Sequence, residues 1–134
     1  MLRAHEGFSL LEMLLTVAIL GTMAALIIPY VSPMRGSASI QVARQQQAQL
    51  QTALGSWVAQ ASSGPGGLAT ARAAYNSAGS KLALLENYLQ PSTYAALSGN
   101  GNSVTSEALT EAGASLQFSS WGVAGAPAVT WVGQ

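Results

Sequence analysis

Between Phe8 and Val31 the chain reads FSLLEMLLTVAILGTMAALIIPYV, 24 residues in which Glu12 is the only charge. No other feature constrains the fold as much. As a helix rising 1.5 Å per residue, the run would be about 36 Å long, enough to cross a hydrocarbon core of about 30 Å. Ahead of it stands a seven-residue leader, MLRAHEG, with Arg3, and the next basic residue is Arg35. That placement favours a cytoplasmic N-terminus and an outer part on the far side of the membrane.

Three readings of the run compete. A cleaved secretory signal has an apolar stretch of about 7 to 15 residues ending at a small-residue site. Thr22-Met23-Ala24 offers such a site, but the run is longer than that and contains an acid. A plain membrane anchor would make Glu12 incidental. In the third reading Glu12 meets a partner. An acidic side chain at the centre of a spanning helix costs about 2.5 to 3.5 kcal/mol, and less near an end, where Glu12 lies.

The order Gly7, Phe8, Ser9, Leu10, Leu11, Glu12 sets a glycine and an aromatic at the polar-to-apolar boundary, with Glu four residues after Phe. It resembles the class III signal of type IV pilins and type II secretion pseudopilins over Gly7 to about Val31. The resemblance implies cleavage between Gly7 and Phe8 by a prepilin peptidase, N-methylation of Phe8, and a role in subunit assembly for Glu12 as the fifth mature residue. Gly21 and Pro29 stand where that family commonly carries helix-loosening residues, which implies that this stretch unwinds as subunits leave the bilayer. Read without the resemblance, the two make a mild kink, because proline lacks the amide hydrogen of one helical bond.

Physical chemistry gives the same residues a reason. Cleavage would free an α-amine at Phe8, and a carboxylate follows at Glu12. In one chain each is a costly charge in an apolar setting. Between staggered copies the carboxylate of one can meet the amine of another, and a misplaced copy would leave both unpaired.

Beyond the span, Ile40, Ala43, Gln47, Leu50, Leu54, Trp57 and Ala61 recur at steps of three and four, a helical stripe broken only by Gln47. Gln41, Gln45, Gln46, Gln49 and Gln51 are placed on the opposite face. One long helix is therefore expected from Phe8 to about Ala61, with Pro33 and Gly36 placed to bend it, ending at SSGPGG (62–67). Short helices are expected over 68–76, 81–89 and 91–97, a loop over 98–103, and a helix within 103–113 stopped by Gly113. Leu116 and Phe118 alternate with Gln117 and Ser119, and Val129 and Trp131 flank Thr130, which predicts a terminal hairpin. Two strands alone are marginal, so the hairpin should bury Leu116, Phe118 and Trp131 against Leu50, Leu54 and Trp57. The expected fold is α+β: a long N-terminal helix packed on a small domain of short helices and a C-terminal antiparallel hairpin or sheet. The resemblance leads to the same layout. The divisions are a leader over 1–7, a membrane and filament-core half-helix over 8–35, and a globular part over 36–134.

Composition excludes more than it suggests. Five basic residues balance five acidic ones, all Glu, and they are spread along the chain, so nucleic acid is not an expected partner. There is no Cys and no Asp, and the one His is His5, in the leader. Catalysis is not expected from what remains. Ser77 and Lys81 are four apart, but Gly79 between them argues against a helical pair and leaves Lys81 as a solvated charge. Glu107 and Glu111 are the only candidate ligands for calcium, a cofactor suggested by the resemblance and disfavoured by the lack of Asp. The expected function is that of a structural subunit, a major one because the chain is small, of a type II secretion pseudopilus or type IV pilus. Its partners would be further copies of itself in a helical polymer, the prepilin peptidase, the inner-membrane assembly platform and minor pilins or pseudopilins. The alternative is a minor tip subunit or membrane-anchored module recognising a surface, a secreted substrate or DNA. The expected location is the bacterial inner membrane, then a periplasmic or extracellular filament.

Overall fold

The computed structural model describes residues 9–133, with the side chains of 27–35 outside the description. The chain divides into two compact units, Met1–Arg35 and Gly36–Gln134. Helix α1 is assigned from Leu10 to Ser62. The leader, Gly7 and Phe8 lie outside the described residues, and so do the side chains of Pro29, Pro33 and Arg35.

In the first unit the helix opens on Ser9, whose Oγ accepts the Glu12 amide at 3.2 Å and whose carbonyl accepts the amides of Glu12 and Met13 at 3.0 and 3.1 Å. This is an N-cap: a short polar side chain satisfying a donor that the first helical turn leaves over. Among the described residues no helix is long and apolar enough to cross a membrane. The expected span, Phe8 to Val31, includes Phe8 and the side chains of 27–31, which are not described, so the described stretch is shorter than the run in the sequence.

In the second unit α1 is followed by α2 (Gly67–Ser77), α3 (Lys81–Leu84), a 3₁₀ turn (Glu86–Tyr88), α4 (Pro91–Ala95), strands β1 (Ser98–Asn100) and β2 (Ser103–Thr105), α5 (Glu107–Glu111), and strands β3 (Ala114–Phe118) and β4 (Val129–Gly133). The strands form one antiparallel sheet in the order β1-β2-β3-β4. The α+β layout expected from sequence is therefore present, with two strands more than the predicted hairpin.

The register sets the packing. Leu116 lies opposite Val104 on one side and Trp131 on the other, and Phe118 opposite Val129. These side chains share one face and join Leu50, Leu54, Tyr75, Leu85 and Leu109 in the core. Leu116 and Phe118 are buried, whereas Trp131 is half-buried with the Arg44 guanidinium 4.2 Å above its ring. Trp57 is also half-buried, in a triad with Tyr75 and Trp121 at centroid separations of 5.9, 6.5 and 6.0 Å.

Several expectations are corrected. The stretch 98–103 is a hairpin, not a loop: Asn100 pairs Ser103 across Gly101-Asn102, and Gly101 has φ 60°, the positive angle that a type II′ turn requires at its first position. The helix expected over 81–89 is a single turn of α-helix followed by a 3₁₀ turn. Ile40 belongs to the predicted stripe but is 46% exposed, and Ala53 replaces it as a core residue. Gln46, assigned to the outer face, is half-buried, and its Oε1 accepts Ser106 Oγ at 2.7 Å; Gln51 is exposed as expected, yet its Oε1 accepts the Val129 amide at 2.7 Å. Gln47, the apparent break in the stripe, donates through Nε2 to the Val129 carbonyl at 3.1 Å. The polar residue thus stands in an apolar row because one rung of β4 needs it.

Candidate functional site

The residues singled out by the sequence are concentrated in the first unit. Ten large apolar side chains between Leu10 and Leu26 are each 50 to 82% exposed, among them the consecutive Met13, Leu14 and Leu15. Consecutive residues on a helix point about 100° apart, so the exposed apolar surface runs round the whole helix. Burying ten such side chains would release on the order of 15 to 30 kcal/mol, far more than the cost of carrying one carboxylate along.

The polar groups of this stretch are handled differently from one another. Thr16 Oγ1 donates to the Glu12 carbonyl at 2.6 Å and Thr22 Oγ1 to the Ile19 carbonyl at 2.9 Å, while Ser9 caps the helix. Each hydroxyl is satisfied inside its own helix and can enter an apolar environment at little cost. Glu12 is the exception: its side chain is exposed and makes no hydrogen bond or ion pair among the described residues. It sits in the first turn, where the helix dipole favours an acid. Ser9 and Glu12 have the Ser-x-x-Glu spacing of a capping box, a signal passed over in the sequence reading, yet only the Ser9 half of the box is formed. Gly21 has open space around its Cα, so no packing reason for a glycine is found there within its unit.

The other candidates do not converge. Glu107 and Glu111 are exposed at the two ends of α5, whose cap is Ser106 and whose exit is Gly113 at φ 66°. Among the described residues no group of three or more acids, His or Cys is gathered. Two carboxylates would leave calcium well short of its usual six to eight oxygens.

Lys81 is not the solvated charge expected. It is 4% exposed, and its Nζ donates to the carbonyls of Tyr75, Asn76 and Ala78, the last at 3.0 Å, beneath the Tyr75 ring at 4.9 Å. A cation thus caps the end of α2, where the helix leaves its carbonyls unpaired. The Tyr75 hydroxyl donates to the Ser119 carbonyl at 3.0 Å, and burial pushes its pKa up to about 12. Asn76 grips Trp121 twice, accepting its amide and donating to its carbonyl, each at 3.0 Å. These groups fix the β3–β4 connection to α2.

Residues 2–28 match a family model described as the prokaryotic N-terminal methylation motif. That match covers the leader, the Gly7-Phe8 boundary, Glu12 and most of the apolar run. It supports the resemblance to type IV pilins and pseudopilins, a structural family whose precursors are processed by a prepilin peptidase, held in a membrane and assembled into filaments. No curated protein and no solved structure matches the chain.

Proposed function

We propose that this chain is a major structural subunit of a type II secretion pseudopilus or type IV pilus. One observation carries the reading: within the methylation motif, an apolar helix satisfies each of its described hydroxyls internally, and among the described residues the Glu12 carboxylate is left without a partner. Cleavage after Gly7 gives Phe8 a free α-amine one residue ahead of the Ser9 cap. The apolar side chains are first covered by lipid, with the outer unit on the far side of the membrane, and then by the helices of neighbouring copies. In that bundle the Glu12 carboxylate pairs with a neighbour's Phe8 amine. The low dielectric strengthens the attraction and penalises any register that leaves either charge alone. Gly21 and Pro29 ease the rearrangement between the two environments. The absence of Cys favours the pseudopilus, since many pilins close a C-terminal disulfide.

Mass spectrometry of the native N-terminus tests the reading. The expected mature chain begins at Phe8 with one added methyl group, and Gly7→Leu should accumulate as an unprocessed precursor. A native N-terminus at Ala25 would mean ordinary signal cleavage and would end the filament reading. Copy number then separates a major subunit, present along the whole fibre, from a tip subunit.

A further inference from the structure

Strand β4 is an edge of the sheet, and its sequence, VTWVG, is β-branched and aromatic with neither a charge nor a proline. Such an edge is a template for another strand, and folded proteins keep it covered or charged. Here the cover comes from a helix. Val129 lies opposite Phe118, and its amide and carbonyl both bond away from β3. Gln51 Oε1 accepts the amide at 2.7 Å, and Gln47 Nε2 donates to the carbonyl at 3.1 Å. In an antiparallel ladder, one residue of a neighbouring strand makes the same two bonds. Two side chains four apart on α1 thus stand in for a residue of a further strand.

A third side chain extends the cover. Arg44 Nη1 donates to Gln47 Oε1 at 3.3 Å, which leaves the Nε2 end of that amide to face Val129. The same guanidinium lies 4.2 Å above the Trp131 ring. Backbone directions alternate along a strand, so the Trp131 amide and carbonyl face the same side as those of Val129. Arg44 therefore sets a positive charge beside the second outward rung. The opposite edge, β1, is closed by backbone and close packing instead. The Lys81 amide donates to the Gly101 carbonyl at 3.1 Å, and Gly99 lies so near Leu82 that an added Cβ would come within 2.7 Å of its side chain. Of the two edges, β4 is the one whose cover consists of side chains that can swing away.

We propose that Arg44, Gln47 and Gln51 guard β4 against pairing with β4 of a second copy, and that this keeps crowded copies on the route of helix packing. The guard stands on the outer unit alone, whereas its use in assembly rests on the filament reading above. Two identical edge strands that pair antiparallel are related by a two-fold axis, and such a contact closes at two copies. A helical polymer needs contacts that do not close. A β4–β4 dimer would therefore withdraw subunits from the fibre, and the three side chains keep the backbone groups that would form it engaged or shielded.

The test uses the full-length chain in detergent. Gln47→Ala/Gln51→Ala should dimerise about tenfold more tightly than the parent in sedimentation equilibrium. The Trp131 amide, followed by NMR, should then exchange with solvent more slowly as protein concentration rises. Adding Val132→Lys, at an exposed position of β4, should return the double variant to monomer, because like charges then meet across the pair. Leu50→Ala is the control for lost stability: it loosens the core, leaves the glutamines in place and should dimerise no more than the parent. A double variant no more dimeric than the parent would overturn the proposal. Dimers whose Trp131 exchange ignores concentration would also overturn it, since they use another surface. Equal dimerisation of Leu50→Ala would do the same, since instability alone would then be the cause. In the native host the double variant should give fewer fibres, with the yield restored by Val132→Lys. Tight β4 dimers with normal fibre yield would uphold the guard and overturn its use in assembly. A parent chain that forms no fibres would remove the filament reading and leave the guard standing.

Discussion

The described part of the first unit and the globular unit share one helix and use it in opposite ways. Between Leu10 and Leu26 the apolar side chains face every direction and stay exposed, with hydroxyls turned inward on the helix and one carboxylate left over. Between Ala43 and Ala61 one side is buried, and the polar residues of that side are glutamines matched to backbone groups of the sheet. A segment that finds its partners within the chain shows a narrow stripe with polar residues at defined positions. A segment that must find them elsewhere shows no stripe at all. The contrast lets assembly and folding be separated by mutation.

The largest expected effect falls on assembly. Glu12→Ala and Glu12→Gln should leave processing and the thermal midpoint of the outer unit unchanged and abolish most fibre yield, while Glu12→Asp should do less damage. Gln is the informative variant, because it keeps the side chain's size and the Ser9 cap on the residue-12 amide and loses the charge. Normal fibres from Glu12→Gln, counted by electron microscopy, would reduce Glu12 to a helix-start residue.

Next comes a matched pair of truncations. Leu50→Ala removes a side chain with 0% exposure and should cost about 2 to 5 kcal/mol in denaturant unfolding. Leu15→Ala, at 61% exposure, should stay within about 0.5 kcal/mol of the parent. If the two cost the same, the distinction between the two uses of the helix fails.

Much of this contrast was legible in the sequence. The extent of α1, the β3–β4 pairing and the α5 helix follow from local periodicity, capping and alternation. What was missed depends on partners far along the chain. Gln47 and Gln51 looked like a defect and a solvated residue because their partner, Val129, is about eighty positions away. Strand β1 has no apolar side chain to alternate, so Ser98–Asn100 read as loop even though Gly101-Asn102 is a hairpin signal. Lys81 looked solvated because Gly79 argued against a helical pair with Ser77, while its partners are carbonyls that any sequence carries. For the functional segment the position is reversed: Glu12 was conspicuous in sequence as the one charge in an apolar run, and among the described residues its side chain has no partner.

Two smaller tests sharpen the globular side of the comparison. Tyr75 ionises near pH 10 in an unfolded chain and near 12 when folded, so folding is helped fully below pH 10 and progressively less up to pH 12. The expected loss across that window is about 2 to 3 kcal/mol, and subtracting the Tyr75→Phe profile from the parent isolates it. Gln47→Ala, which leaves the Val129 carbonyl unpaired, should cost about 1 to 2 kcal/mol. Gln45→Ala, on the other flank, should cost the single chain almost nothing.

The ammonium held among the carbonyls of Tyr75, Asn76 and Ala78 has a consequence for a chain that changes surroundings. A metal ion in such a place stabilises in proportion to the logarithm of its free concentration, so the fold would strengthen or weaken with the supply. Lys81 is tethered, and its local concentration is the same wherever the chain goes. The end of α2 is therefore closed by a cation that neither dilution nor a chelator can withdraw, and this joint does not depend on what surrounds the chain.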